Sequence, residues 1–114
     1  MYYIYMVRCT DDSLYTGIAA DLQRRLRQHV DKAPAAAKYT RSRTVAALEA
    51  AWTAPDRSAA SRLESAIKRL PREKKLALIA DNDRLSDLLP QLSAEDYTRI
   101  PGLTLEACLK GELP

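Results

Sequence analysis

The N-terminal apolar stretch constrains the fold more than any other part of this chain. Tyr2 to Arg8 is rich in β-branched and aromatic residues and predicts a strand, and Ser13 to Ile18 predicts a second. Asp11-Asp12-Ser13 between them supplies turn chemistry, so the two strands read as a β-hairpin. Alternation sends Tyr3, Tyr5 and Val7 to one face and Tyr2, Ile4 and Met6 to the other. If odd positions pair with odd, Tyr5 and Tyr15 share a face, and Gly17 leaves open space beside Tyr5. The pattern alone leaves that register undetermined.

A basic helix is expected from Ala20 to about Asp31, with Asp21 as its cap or first-turn acid. Leu22, Leu26 and Val30 form its apolar stripe. At 100° per residue His29 falls beside Leu22, and Arg25 lies one step further round, still on the sheet side. Arg24 and Arg27 point away. An inward arginine needs an anion, because an unpaired buried charge is costly.

Lys32 to Thr44 reads as a loop with room for a short helix. Thr44 to Thr53 is ambiguous between helix and strand; its shortness and the following Ala54-Pro55 favour strand. Ser58 to Leu70 predicts a helix capped by Asp56 or Ser58, with Ala59, Leu63, Ile67 and Leu70 as its core face. Pro71 closes it and starts another helix, Arg72 to Ala80. Past Asp81 the expected organisation is an acidic extension, 81–114, appended to a domain of residues 1–80. Leu85, Leu88, Leu89 and Leu92 could form one face of a short amphipathic helix there.

With 114 residues there is room for one modest core. The apolar start is too short for a membrane span and lacks the features of a signal peptide, so a cytoplasmic location is expected. Cys9 and Cys108 read as reduced thiols, and no Cys/His cluster has zinc spacing. Residues 1–80 carry 15 Lys/Arg against 8 Asp/Glu, whereas 81–114 carry 3 against 7. A basic body suits a polyanionic partner, most simply nucleic acid, although many basic faces are only solvated surface.

Tyr3-Ile4-Tyr5, then Tyr15-Thr16-Gly17, then Arg25, His29 and Glu64 in that order resembles the GIY-YIG nuclease superfamily. It most resembles the small stand-alone bacterial branch. Leu14 to Ile18, Arg24-Arg25 with His29, and Glu64 with Ile67-Lys68 carry the likeness, which covers about residues 2 to 80. The resemblance implies an α/β (α+β) fold, a small, mainly antiparallel three-stranded sheet flanked by helices. It also implies a divalent-metal-dependent endonuclease. Two positions depart from the pattern: Tyr3 stands where the superfamily's namesake motif has Gly, and the nearest Asn after Glu64 is Asn82.

On this resemblance Glu64 is the metal ligand, one carboxylate completing an Mg²⁺ or Mn²⁺ shell with waters and phosphate oxygens. Arg25 would clamp a phosphate oxygen. Tyr5 would be general base, its phenol made more acidic by nearby cations, and Tyr15 would bond phosphate or nucleophile, with those roles exchangeable. His29 would orient a tyrosine or the water, or assist as base. Each has a plainer alternative: Glu64 paired with Lys68 or Arg62 on a helix edge, Arg25 in a salt bridge, the tyrosines and His29 as satisfied core residues.

Lys38, Arg41, Arg43, Lys68, Lys74 and Lys75 are expected phosphate contacts, and Tyr39 could stack on an unpaired base. The expected function is a DNA endonuclease of low sequence specificity acting on single-stranded or branched DNA. The alternatives are a non-catalytic nucleic-acid-binding module on the same fold and a partner subunit docked through the extension, which could also form a dimer contact.

Overall fold

The computed structural model describes residues 1–32 and 43–113. The hairpin forms: β1 (Tyr2–Cys9) pairs antiparallel with β2 (Leu14–Ala19). The Asp11 carboxylate accepts the Ser13 N–H at 3.1 Å, and Asp12 takes the positive φ of 69° that the tight turn requires. Tyr5 stands opposite Gly17 and Val7 opposite Tyr15, so odd positions do pair with odd.

The first helix, α1 (Leu22–Val30), is capped by Asp21, whose carboxylate accepts the Arg24 N–H at 3.1 Å. The ambiguous segment is a strand, β3 (Val45–Ala54), antiparallel to β1. Two register shifts interrupt this pairing, between Met6 and Val7 and between Arg8 and Cys9. The first leaves Glu49 without a cross-strand partner. It turns Leu48 to the opposite face from the one strict alternation with Ala50 and Trp52 would give it. Next come α2 (Arg57–Lys68), capped by Asp56, and α3 (Arg72–Ala80), which starts after Pro71.

Among the described residues the sheet has four strands where three were expected, in the order β2-β1-β3-β4. The addition is β4 (Thr98–Arg99), a two-residue strand pairing with Trp52 and Thr53. So short a strand has no alternation to read; it exists because the outer side of β3 offers open hydrogen-bonding groups. The leucines of 85–92 make a single helical turn, α4 (Leu85–Leu88), with Leu85 and Leu89 buried. A last short helix is α5 (Leu105–Leu109).

Each face of the sheet carries its own core. Ile4, Met6 and Trp52 lie under α2 with Leu63, Ile67 and Leu78. Tyr5, Val7, Leu48 and Ala51 lie under α1 with Leu22 and Leu26. Residues beyond 81 enter both: Leu85, Leu89 and Tyr97 on the α2 side, Ile100 and Cys108 on the α1 side. The Tyr97 hydroxyl donates to the Ala59 carbonyl at 2.7 Å. Arg99 stacks on the Trp52 ring at 5.1 Å and donates to the Leu78 and Ile79 carbonyls near the end of α3. Cys9 and Cys108 are free and buried.

Candidate active site

The site is organised by β2, which is one edge strand of the sheet. From one face α1 contributes Arg25 and His29; from the other α2 sends Glu64 and Lys68 past that edge. Between them stand Tyr5 from β1 and Tyr15 from β2.

Tyr5 and His29 are both fully buried, and the Tyr5 hydroxyl lies 2.7 Å from His29 Nε2. The Tyr15 ring packs 6.4 Å from Tyr5 and 5.6 Å from His29, centroid to centroid, closing a triangle of rings. Gly17 makes this possible. A Cβ there would sit 2.4 Å from the Tyr5 hydroxyl oxygen and 2.6 Å from its Cζ, so only a residue without a side chain admits the phenol.

Arg25 lies on the sheet side of α1, half-buried, and donates to Gln28 Oε1 at 2.9 Å. It also hydrogen-bonds toward the Tyr5 hydroxyl. Gln28 was not singled out from the sequence; its i+3 spacing from Arg25 is the signal that could have found it. Glu64 is mostly covered, with 23% of its side chain exposed, and its charge acts on Tyr5. Lys68 Nζ lies 3.5 Å from Glu64 Oε2 and 5.6 Å from the centre of the Tyr15 ring, so this one ammonium joins carboxylate to phenol.

Burial dominates the electrostatics. His29 is pushed down to about 4 by desolvation and then by the Arg25 charge, so the imidazole is neutral at pH 7. Tyr5 is raised above its ordinary value, first by burial and then by the neighbouring Tyr15; the Arg25 hydrogen bond and charge oppose this, and Glu64 adds to it. The Tyr5 phenol feels Arg25 in the expected direction. Its desolvation outweighs the single guanidinium beside it.

The His29 shift has a measurable consequence. The folded pKa is depressed, so between pH 6.5 and 4 the unfolded chain binds a proton that the fold refuses. Stability is retained above that window and is lost as pH falls through it. Urea denaturation should show about 2 kcal/mol of this loss between pH 7 and 5. In His29→Asn that part of the slope should vanish; an unchanged slope would contradict a buried neutral imidazole.

The remaining expected residues lie apart from this cluster or outside the described residues. Lys38, Tyr39 and Arg41 fall outside them. Arg43 donates to Asp11 at 3.0 Å, joining the turn of the hairpin, where Arg72 and Arg8 also pair with Asp12. Lys74 and Lys75 sit on α3, the first exposed and the second partly so. Asn82 accepts the Trp52 indole N–H at 2.8 Å, which commits it to the core. Arg62 donates to Ser58 and leaves Glu64 to Lys68.

Among the described residues no group of three or more His, Cys, Asp or Glu side chains could enclose a metal ion. What the site offers is one hard oxygen donor, Glu64, at a solvent-accessible edge. That fits Mg²⁺ or Mn²⁺, which keep several waters and take substrate phosphate oxygens, and does not fit a closed zinc site.

Comparison with known proteins identifies the family of this chain. Residues 1–77 match the family model of the GIY-YIG catalytic domain. A UPF0213 protein of Fusobacterium nucleatum is 42% identical over 82 residues, spanning 72% of this chain and 80% of that protein. A UPF0213 protein of Haloquadratum walsbyi is 47% identical over 77 residues, 68% of this chain and 84% of that one. The UPF0213 protein YhbQ of Salmonella arizonae is 37% identical over 91 residues, 80% of this chain and 89% of that one. A solution NMR structure of a UPF0213 protein from Bacillus halodurans is 39% identical and aligns with a TM-score of 0.46, covering 70% of this chain and 84% of that chain. With its hairpin, its two flanking helices and the order of its polar residues all falling within the matched stretch, this chain belongs to the GIY-YIG family and to its UPF0213, YhbQ-like branch.

Proposed function

We propose that this protein is a divalent-metal-dependent DNA endonuclease that hydrolyses phosphodiester bonds with low sequence specificity, on single-stranded or branched DNA. The observation that carries the reading is the 2.7 Å contact between the Tyr5 hydroxyl and His29 Nε2, with Arg25 and Glu64 alongside.

A neutral phenol is a weak base, and Tyr5 does not act alone. With Nε2 unprotonated, His29 accepts the hydrogen bond of the Tyr5 hydroxyl and orients the phenol oxygen toward the attacking water. The imidazole is neutral at pH 7, so Nε2 is able to accept that bond. Arg25 binds a non-bridging phosphate oxygen and opposes the charge that develops there. Tyr15 orients the phosphate or the water, held by the Lys68 ammonium at its ring. Glu64 would hold the metal, which when bound polarises the phosphate and stabilises the leaving oxygen.

One observation favours the second reading, a nucleic-acid-binding module without catalysis: the Glu64 carboxylate already has a counter-ion in Lys68. The deciding experiment incubates the purified chain with end-labelled single-stranded, duplex and forked DNA, with and without Mg²⁺ or Mn²⁺. Metal-dependent products on the single-stranded or forked substrates are expected. DNA binding with no metal-dependent cleavage on any substrate would select the second reading.

A further inference from the structure

The helix that carries Glu64 has a neighbouring strip that the chemistry above does not use. Arg57, Ser61, Ser65, Arg62 and Arg69 line one side of a groove of about 720 Å³, and Gln91 stands on its other side. Arg57 and Ser61 precede Glu64 by seven and three residues, and Lys68 follows it by four, so all four lie on adjoining helical rows. Arg57 and Ser61 are the groove residues that share the helix face of Glu64.

The charge of this strip is unspent. Arg57, Arg62 and Arg69 are exposed, and among the described residues none has a carboxylate within ion-pair distance. Arg62 donates to the Ser58 hydroxyl, at 2.9 Å, and its guanidinium acts on the Tyr97 hydroxyl. Asp56, at the N-terminal end, is engaged in capping Ala59. The arginines on the hairpin side differ: Arg8, Arg43 and Arg72 are paired with Asp11, Asp12 and Glu49. Guanidiniums alternating with serine hydroxyls suit phosphate oxygens.

We propose that this groove holds the sugar–phosphate backbone of the DNA strand leading away from the scissile phosphate, an inference that rests on the nuclease reading of the adjoining site. From Arg57 to Arg69 the helix rises about 18 Å, enough for several phosphates. The opposite wall, Gln91 and Leu92, lies beyond the residues matched by the catalytic-domain family. Gln91 and Leu92 of the C-terminal stretch thus border an open groove along the helix face, and would give this chain a substrate contact that the matched domain does not contain.

The test measures binding without cleavage: fluorescence anisotropy of the full chain on labelled single-stranded and duplex DNA, in EDTA, across a salt series. Arg57→Gln/Arg62→Gln/Arg69→Gln should weaken binding at least about tenfold at low salt. It should also make the salt dependence on single strands shallower by about 2. Because Arg62 touches Ser58 and Tyr97, Arg57→Gln/Arg69→Gln serves as the second variant, with a proportionately smaller change. Gln91→Glu, which adds a negative charge to the far wall, should weaken binding as well. Lys110→Gln, just past α5 on the other layer, should leave both affinity and slope at the wild-type values. Variants with wild-type affinity and slope, in a chain that still cuts DNA, would overturn the groove alone. A wild-type chain that neither binds nor cuts DNA would overturn both readings.

Discussion

Replacing Glu64 by Gln is expected to lower metal-dependent DNA cleavage on the order of 10³-fold while leaving the fold intact. The size of the effect follows from the poverty of the donor set. Glu64 is the acid of α2 that reaches the site, and among the described residues no cluster of acids, His or Cys could take over its role. Gln keeps the shape and loses the charge. Its cost to stability is small, because the pair with Lys68 is 3.5 Å long and half-exposed on the lysine side, and such pairs are worth less than about 1 kcal/mol. The measurement is the initial rate on end-labelled DNA in Mn²⁺ and Mg²⁺, with thermal unfolding alongside. A variant that cuts at the wild-type rate would remove Glu64 from the chemistry, and the metal proposal with it.

Gly17→Ala should damage both stability and activity, for a reason unrelated to charge. The new methyl group would meet the Tyr5 hydroxyl oxygen at 2.4 Å and Cζ at 2.6 Å, with the Tyr15 ring edge at 3.1 Å. Neither ring can give way easily: Tyr5 is fully buried and bonded to His29, and its strand is paired on both sides. The expected destabilisation is about 1–3 kcal/mol, the usual range for an overpacked core. The expected fall in cleavage rate is about 10²-fold, because a phenol displaced by an ångström no longer lines up with His29 and the water. Urea denaturation and cleavage rates measured on the same preparation separate the two effects. Wild-type values for both would mean that the phenol tolerates the contact and that its position is not critical.

Much of the candidate site was legible because its parts are local. Tyr5 and Tyr15 come from one hairpin, Arg25 and His29 from one turn of one helix, and the spacing 25 and 29 puts both on the sheet side. Lys68 was expected as a phosphate contact, yet it lies against Glu64 and the Tyr15 ring. The desolvation of Tyr5 was not legible, because sequence shows which cations are near in order, not how much water burial removes. The fourth strand and the fate of Asn82 were equally out of reach, since a two-residue strand and a single amide bonded to Trp52 depend on partners far along the chain.

By itself, then, the sequence determined the hairpin, the inward face of α1 and the set of polar groups that the site can draw on. Alternation and helical period are properties of neighbouring residues, and they act before any long-range contact forms. Only the tertiary structure decided that α1 and α2 meet from opposite faces at the β2 edge, and that Gly17 opens the space for Tyr5. It also decided that residues 82–113 complete both cores and wall the groove beside Glu64. Those outcomes depend on which apolar faces bury one another, a choice made by the whole chain at once.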